Sequence, residues 1–155
     1  MQRNIDTHVL SSDFQVRVWA HKPDAALALL QLLETLNVNS SLPERLREIV
    51  RLKIASITNC TAYKIARKSD TISDEDIACL NADDPRFSPT EHAALRYAEL
   101  FATDFDMIGK REFDALKAHF SSTQIVDLNM FVAMMFAGGR MTFVQKSYAE
   151  QDGDA

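Results

Sequence analysis

The sequence predicts an all-α bundle, and three observations carry that reading. Apolar residues recur at spacings of three and four in six or seven stretches, whereas strand-like alternation is confined to FQVRVW at residues 14–19. Glycine and proline number only four each, too few for the turns of an all-β domain. Three Ser-x-x-Glu/Gln patterns, at Ser41/Glu44, Ser88/Glu91 and Ser121/Gln124, each precede an apolar-periodic run, which is how a helix start is written.

Taken in order, residues 1–19 read as an N-terminal arm, with FQVRVW extended and either loose or packed on a neighbouring subunit. A single domain then covers residues 20–150, and residues 151–155 form a frayed tail. The first helix runs from about Lys22 to Leu36 with Pro23 in its first turn. Ala26, Leu27, Leu29, Leu30, Leu32 and Leu33 spread around much of its circumference, so it should be well buried. Ser41 caps the next helix, whose buried face carries Leu46, Ile49, Val50, Ile54 and Ile57. A break at Thr58–Asn59 lets Cys60 open a further helix to about Lys68. Ser73 caps a short helix through Leu80, and residues 81–89 form a loop. Ser88-Pro89-Thr90-Glu91 starts a helix to about Thr103, and another runs from Lys110 to His119. The last begins after Ser121 and reaches about Tyr148; Gly138–Gly139 interrupts it, to kink it or to let another backbone approach.

Composition narrows the function. At 155 residues the chain is long enough for a substantial core, and 46% apolar with 25% charged residues is ordinary for a globular domain. A net charge of −5 with interleaved signs excludes a nucleic-acid surface, and no apolar run approaches the ~20 residues of a membrane span. Two cysteines, Cys60 and Cys79, make no disulfide scaffold, and the N-terminus lacks a secretory pattern, so a cytoplasmic protein with reduced thiols is expected.

The chemistry concentrates between Leu42 and Ser69. Cys60, Tyr63, Lys64 and Arg67 stand at i, i+3, i+4 and i+7, one face of one helix with Cys60 at its start. A helix N-terminus and two nearby cations each lower a thiol pKa. One reading is therefore a thiolate in a cationic pocket, with Tyr63 as hydrogen-bond donor and Glu48 as proton acceptor. It would serve as a one-cysteine peroxidase or as a site for a small anion. In the other reading Cys60 is a small buried residue and Lys64 and Arg67 are solvated. Glu48 likewise reads either as a proton acceptor or as half of an exposed pair with Arg51, worth ~0.3–0.5 kcal/mol. His8, His21, His92 and His119 are too scattered for a metal site. Met130, Met134, Met135 and Met141 read as core or subunit-interface packing, with a ligand groove as the alternative. Cys79 reads as core.

The 42–69 stretch, the segment FSPTEHAALRYAELF and the closing HFSSTQIVDLNMFVAMMFAGGRMTF together resemble the carboxymuconolactone decarboxylase superfamily, and within it the alkylhydroperoxidase D-like branch. The resemblance spans roughly residues 20–148 and implies an alkylhydroperoxidase D-like helical bundle, with homo-oligomers, often trimers or hexamers. It implies no cofactor, but a thiol reductant and a Glu–Cys-x-x-Cys–His relay that reduces peroxides or exchanges disulfides. Glu48 stands twelve residues before Cys60, which resembles the spacing from the family's Glu to its first Cys. The second cysteine then falls on Tyr63 and the histidine on Arg67; a register shifted by one places the cysteines on Thr61 and Lys64 and the histidine on Lys68. The first keeps one cysteine and needs no gap. In both, the dithiol and the histidine are gone, so a disulfide within the motif cannot form. Three functions follow: a thiol-dependent antioxidant oxidoreductase using one cysteine, a catalytically silent oligomeric binding or scaffold protein, and a decarboxylase of a lactone-type acid.

Overall fold

The computed structural model describes residues 13–58, 69, 71–73, 75–76 and 80–151. Among them stand six α-helices and no strand: α1 (Asp13–Trp19), α2 (Pro23–Val38), α3 (Glu44–Ile57), α4 (Pro89–Thr103), α5 (Lys110–Lys117) and α6 (Ser122–Gln151). A single 3-10 turn, Phe105–Met107, joins α4 to α5. The all-α expectation therefore holds.

Helix α3 is the axis of the bundle. Eight of its fourteen residues are buried, and it packs against α4 and α6. Leu46, Ile49, Val50, Leu52 and Ile54 meet Ala94, Leu95 and Ala98 of α4 and Leu128, Phe131 and Val132 of α6 in one continuous core. Burying a side chain such as Leu or Ile contributes about 1.5–3 kcal/mol, so this three-helix contact dominates the packing. Aromatic rings close one side: Tyr97, with Phe101 and Phe113 at centroid distances of 6.3 and 6.2 Å, and Phe136 edge-on to Phe101.

Helix ends follow the sequence signals in two cases of three. The Ser88 N–H donates to Glu91 Oε2 at 2.8 Å while the Glu91 N–H donates to Ser88 Oγ at 3.2 Å, a complete box. Ser121 and Gln124 exchange the same pair of bonds at 3.0 and 3.3 Å. Ser41 does not cap α3, which begins at Glu44 behind Pro43 with no side-chain cap. The Ser41 N–H and hydroxyl instead donate to Asp127 Oδ2 of α6, at 2.6 and 2.8 Å, and the Ser40 hydroxyl joins them at 2.8 Å. A carboxylate accepting three bonds from the α2–α3 linker fixes that linker on α6 and uses the groups the cap would have needed.

Three further expectations change. Residues 14–19 are helical, not extended, because Gln15 and Trp19, one turn apart, both reach α6: Gln15 Nε2 donates to Thr142 Oγ1 at 2.8 Å and Trp19 Nε1 to Gln145 Oε1 at 2.7 Å. Helix α2 is buried at Leu33 and Leu36, while Leu27 and Leu32 are exposed; among the described helices α6 is its main neighbour. Helix α6 passes through Gly138–Gly139 as continuous helix and extends to Gln151, the last described residue. Gly138 borders a cavity of about 120 Å³ between α1, α2 and α6. The break after Ile57 holds, with Thr58 Oγ1 donating to Ile54 O at 2.9 Å. The expected helix at 60–68 lies outside the described residues.

Candidate functional site

The site is built on the buried face of α3. Glu48, Arg51, Ala55 and Thr58 follow at i, i+3, i+7 and i+10, which places them within about 80° of one another on a 3.6-residue helix. All four are buried. Glu48, Arg51 and Thr58 are polar members of this buried face, and the last stands two residues before Cys60 in the sequence.

Arg51 grips Glu48 with both arms of its guanidinium: Nε donates to Oε2 and Nη2 to Oε1, each at 2.7 Å. The side chains are 4% and 3% exposed. The exposed pair the sequence allowed is thus a buried one. Removing one partner of such a pair costs about 3–5 kcal/mol, against a few tenths for a surface pair. The signal was present in the sequence: Glu48 is followed at i+4 and i+7 by Leu52 and Ala55, so its side of the helix is apolar, and a solvated pair would sit among polar neighbours.

Below this face, a second set of ion pairs anchors the chain where it returns after residue 70. Arg45 Nε donates to Glu91 Oε1 at 2.8 Å, and its Nη1 donates to Thr71 O at 2.7 Å and to Asp76 Oδ2 at 3.3 Å. Burial raises the Asp76 carboxyl, but hydrogen bonds from Ser73 and the Arg45 guanidinium outweigh it and hold the group below its usual range. The Ser73 hydroxyl accepts from the Asp76 N–H at 3.1 Å, the capping contact expected of it. Lys53 Nζ donates to Leu80 O at 2.9 Å and pairs with Glu99 at 2.8 Å.

Cys60, Tyr63, Lys64, Arg67, their alternatives Thr61 and Lys68, and Cys79 all lie outside the described residues. Of the expected site, Glu48 is therefore the member whose surroundings are visible, and Arg51 is the partner that sequence reasoning left on the surface. Two of the four methionines, Met134 and Met141, line the cavity between α1, α2 and α6, and Met141, Trp19 and Leu29 also wall an adjoining one of about 170 Å³. Met135 is core and Met130 is half exposed. His92 Nε2 donates to Asp84 O at 2.6 Å, which ties the loop before α4 to that helix. Among the described residues no three His, Cys, Asp or Glu side chains converge as a metal site, and no helix is long and apolar enough to cross a membrane.

No protein-family model matches the sequence, and no curated protein matches it. Solved structures do. A protein of unknown function from Agrobacterium tumefaciens, proposed to be the antioxidant-defence protein AhpD, superposes with a TM-score of 0.74 at 20% identity, covering 84% of this chain and 93% of its own. An uncharacterised peroxidase-related protein with an alkylhydroperoxidase AhpD core, from Ralstonia eutropha JMP134, gives 0.69 at 19% identity, covering 82% and 71%. The debrominase Bmp8, solved as its C82A variant with 2,3,4-tribromopyrrole, gives 0.71 at 16% identity with the same coverage. Six helices around a central α3, no strand among the described residues, and these superpositions together give the chain the all-helical AhpD-like fold.

Proposed function

We propose that this protein is a thiol-dependent antioxidant oxidoreductase that works through a single cysteine, Cys60, with Glu48 as proton acceptor and Tyr63 as hydrogen-bond donor. Lys64 and Arg67 supply the positive field that favours the thiolate and receives an anionic substrate group. The observation that carries the reading is Glu48 itself: a carboxylate 3% exposed, held in the apolar interior of an AhpD-like bundle twelve residues before the cysteine. A buried carboxylate is expensive to keep, and buried titratable groups concentrate where chemistry is done.

The reaction balances with one cysteine and an outside thiol. Glu48 takes the Cys60 proton, and the thiolate attacks the terminal oxygen of a hydroperoxide. The O–O bond breaks, the sulfur becomes a sulfenic acid, and the alkoxide leaves as the alcohol with the proton returned from Glu48. A small thiol then displaces hydroxide as water to give a mixed disulfide, and a second thiol releases Cys60 and the oxidised thiol pair. Turnover of hydrogen peroxide and of cumene hydroperoxide with excess small-molecule thiol tests this. Activity lost in Cys60→Ser and kept in Cys79→Ser is the expected result; equal activity in the Cys60→Ser variant contradicts it.

One observation favours a second reading, a catalytically silent oligomeric protein that binds a small anion. Both Glu48 oxygens accept from Arg51, so the carboxylate is partly engaged before any substrate arrives. Absence of turnover together with a carboxylic acid or phosphate stabilising the protein through Lys64 and Arg67 would select it. Either way the protein is proposed to be a homo-oligomer assembled through α6. Val126, Met130, Ala133, Ala137 and Val144 share one face of that helix over about 27 Å, and Val126, Met130 and Val144 are at least half exposed. Met130→Glu should lower the mass measured by light scattering towards that of one chain.

A further inference from the structure

We propose that the two adjoining cavities between α1, α2 and α6 form a binding site for a small apolar molecule about the size of one aromatic ring. Such a site functions whether or not Cys60 reacts.

The inner cavity holds about 120 Å³ and the outer about 170 Å³, and Trp19, Leu29 and Met141 wall both. Folded interiors keep few voids larger than a water molecule. An apolar cavity of about 150 Å³ is enough to stay dry and to take up benzene. The inner walls are the hydrocarbon of Leu29 and Leu33, the indole of Trp19 and the thioethers of Met134 and Met141. Both methionines are unbranched, so they can repack around a ring. Polar groups at the walls are bonded to each other across α1 and α6: Gln15 Nε2 donates to Thr142 Oγ1 at 2.8 Å, and Trp19 Nε1 donates to Gln145 Oε1 at 2.7 Å. A trapped water needs two to four polar partners, so these walls favour an apolar occupant over water. Short residues leave the space open, with Ala137 and Gly138 on the inner wall and Ala25 and Ala26 on the outer. Lys22, its side chain 72% exposed, lies on the outer wall and gives the site a way in from solvent. Its ammonium is paired with Asp24 at 2.7 Å, so the entrance does not select an anion.

The test uses full-length protein and the fluorescence of Trp19, the single tryptophan of the chain. Bromobenzene, whose heavy atom quenches an indole in contact with it, is titrated in and then displaced by toluene. The expected result is quenching that saturates and that toluene reverses. Toluene at ten times its dissociation constant should raise the melting temperature by about 3–6 °C. Phenol, of nearly the same size, should bind about tenfold more weakly than toluene, because its hydroxyl loses water against hydrocarbon walls. Leu29→Phe narrows both cavities and should weaken toluene binding about tenfold. Ala26→Leu should do the same from the outer wall, and it decides the matter if Leu29→Phe does not fold. Quenching that rises without saturation, equal affinity for phenol and toluene, or unchanged toluene binding in the variants that fold would each overturn the proposal.

Discussion

Helix α3 carries two sets of ion pairs a turn apart, and they differ in almost every respect. Arg45, near its start, reaches Glu91 of α4, the carbonyl of Thr71 and Asp76, so one partly exposed guanidinium joins three places distant in sequence. Arg51 grips Glu48, three residues back on the same helix, and is 4% exposed. The first set restrains the chain where it returns to the bundle, and its hydrogen bonds and opposite charges outweigh the desolvation of Arg45 and Asp76. The second is almost fully buried, with its side chains 4% and 3% exposed. The two sets therefore differ in depth: the Arg45 network is partly open to solvent, whereas the Glu48–Arg51 pair sits in the interior.

The contrast can be sharpened by substitution. The largest expected effect is Arg51→Met, which leaves a carboxylate buried without its guanidinium and should lower unfolding free energy by about 3–5 kcal/mol in urea titrations. Converting both partners, as Glu48→Gln with Arg51→Met, should recover much of that loss. A single Arg51→Met change under 1 kcal/mol would mean that the pair is solvated. Arg45→Met should cost less, about 1 kcal/mol, and the loss should shrink at high salt because the network is partly exposed.

The smallest effect is in acid. The Asp76 carboxyl is held below its usual range in the folded protein, so its contribution is complete above the unfolded value near 4 and fades as pH falls through the lowered value. Asp76→Asn should therefore lower stability at neutral pH and shrink the difference between the two proteins in strong acid. A difference that persists unchanged below about pH 2 would contradict the ion-pair account.

The fold was legible in the sequence because its signals are local. Apolar spacing, Ser88-Pro89-Thr90-Glu91 and Ser121 with Gln124 each specify a helix from neighbours within a turn, and each appears where it was read. Misreadings occur where a distant partner decides. Ser41 has the right neighbours for a cap, but Asp127, 86 residues away, takes both its N–H and its hydroxyl. The alternation of FQVRVW suggests a strand, yet Gln15 and Trp19 find Thr142 and Gln145 only as a helix. Leu27 and Leu32 look like core residues, yet both are exposed among the described residues. For the site, the spacing from Glu48 to Cys60 was readable, whereas the depth of the Glu48–Arg51 pair was not read. Charge suggests surface, and only the apolar flanks at Leu52 and Ala55 indicate otherwise.

The central claim is that Cys60 is an accessible thiolate served by its surroundings. The most direct measurement is the rate at which native protein carrying Cys79→Ser reacts with a small alkylating reagent as a function of pH. The account predicts reaction without unfolding, with an apparent pKa well below the ~8.5 of a free thiol. A Cys60 that reacts only after denaturation would contradict it and leave a structural cysteine in an AhpD-like bundle.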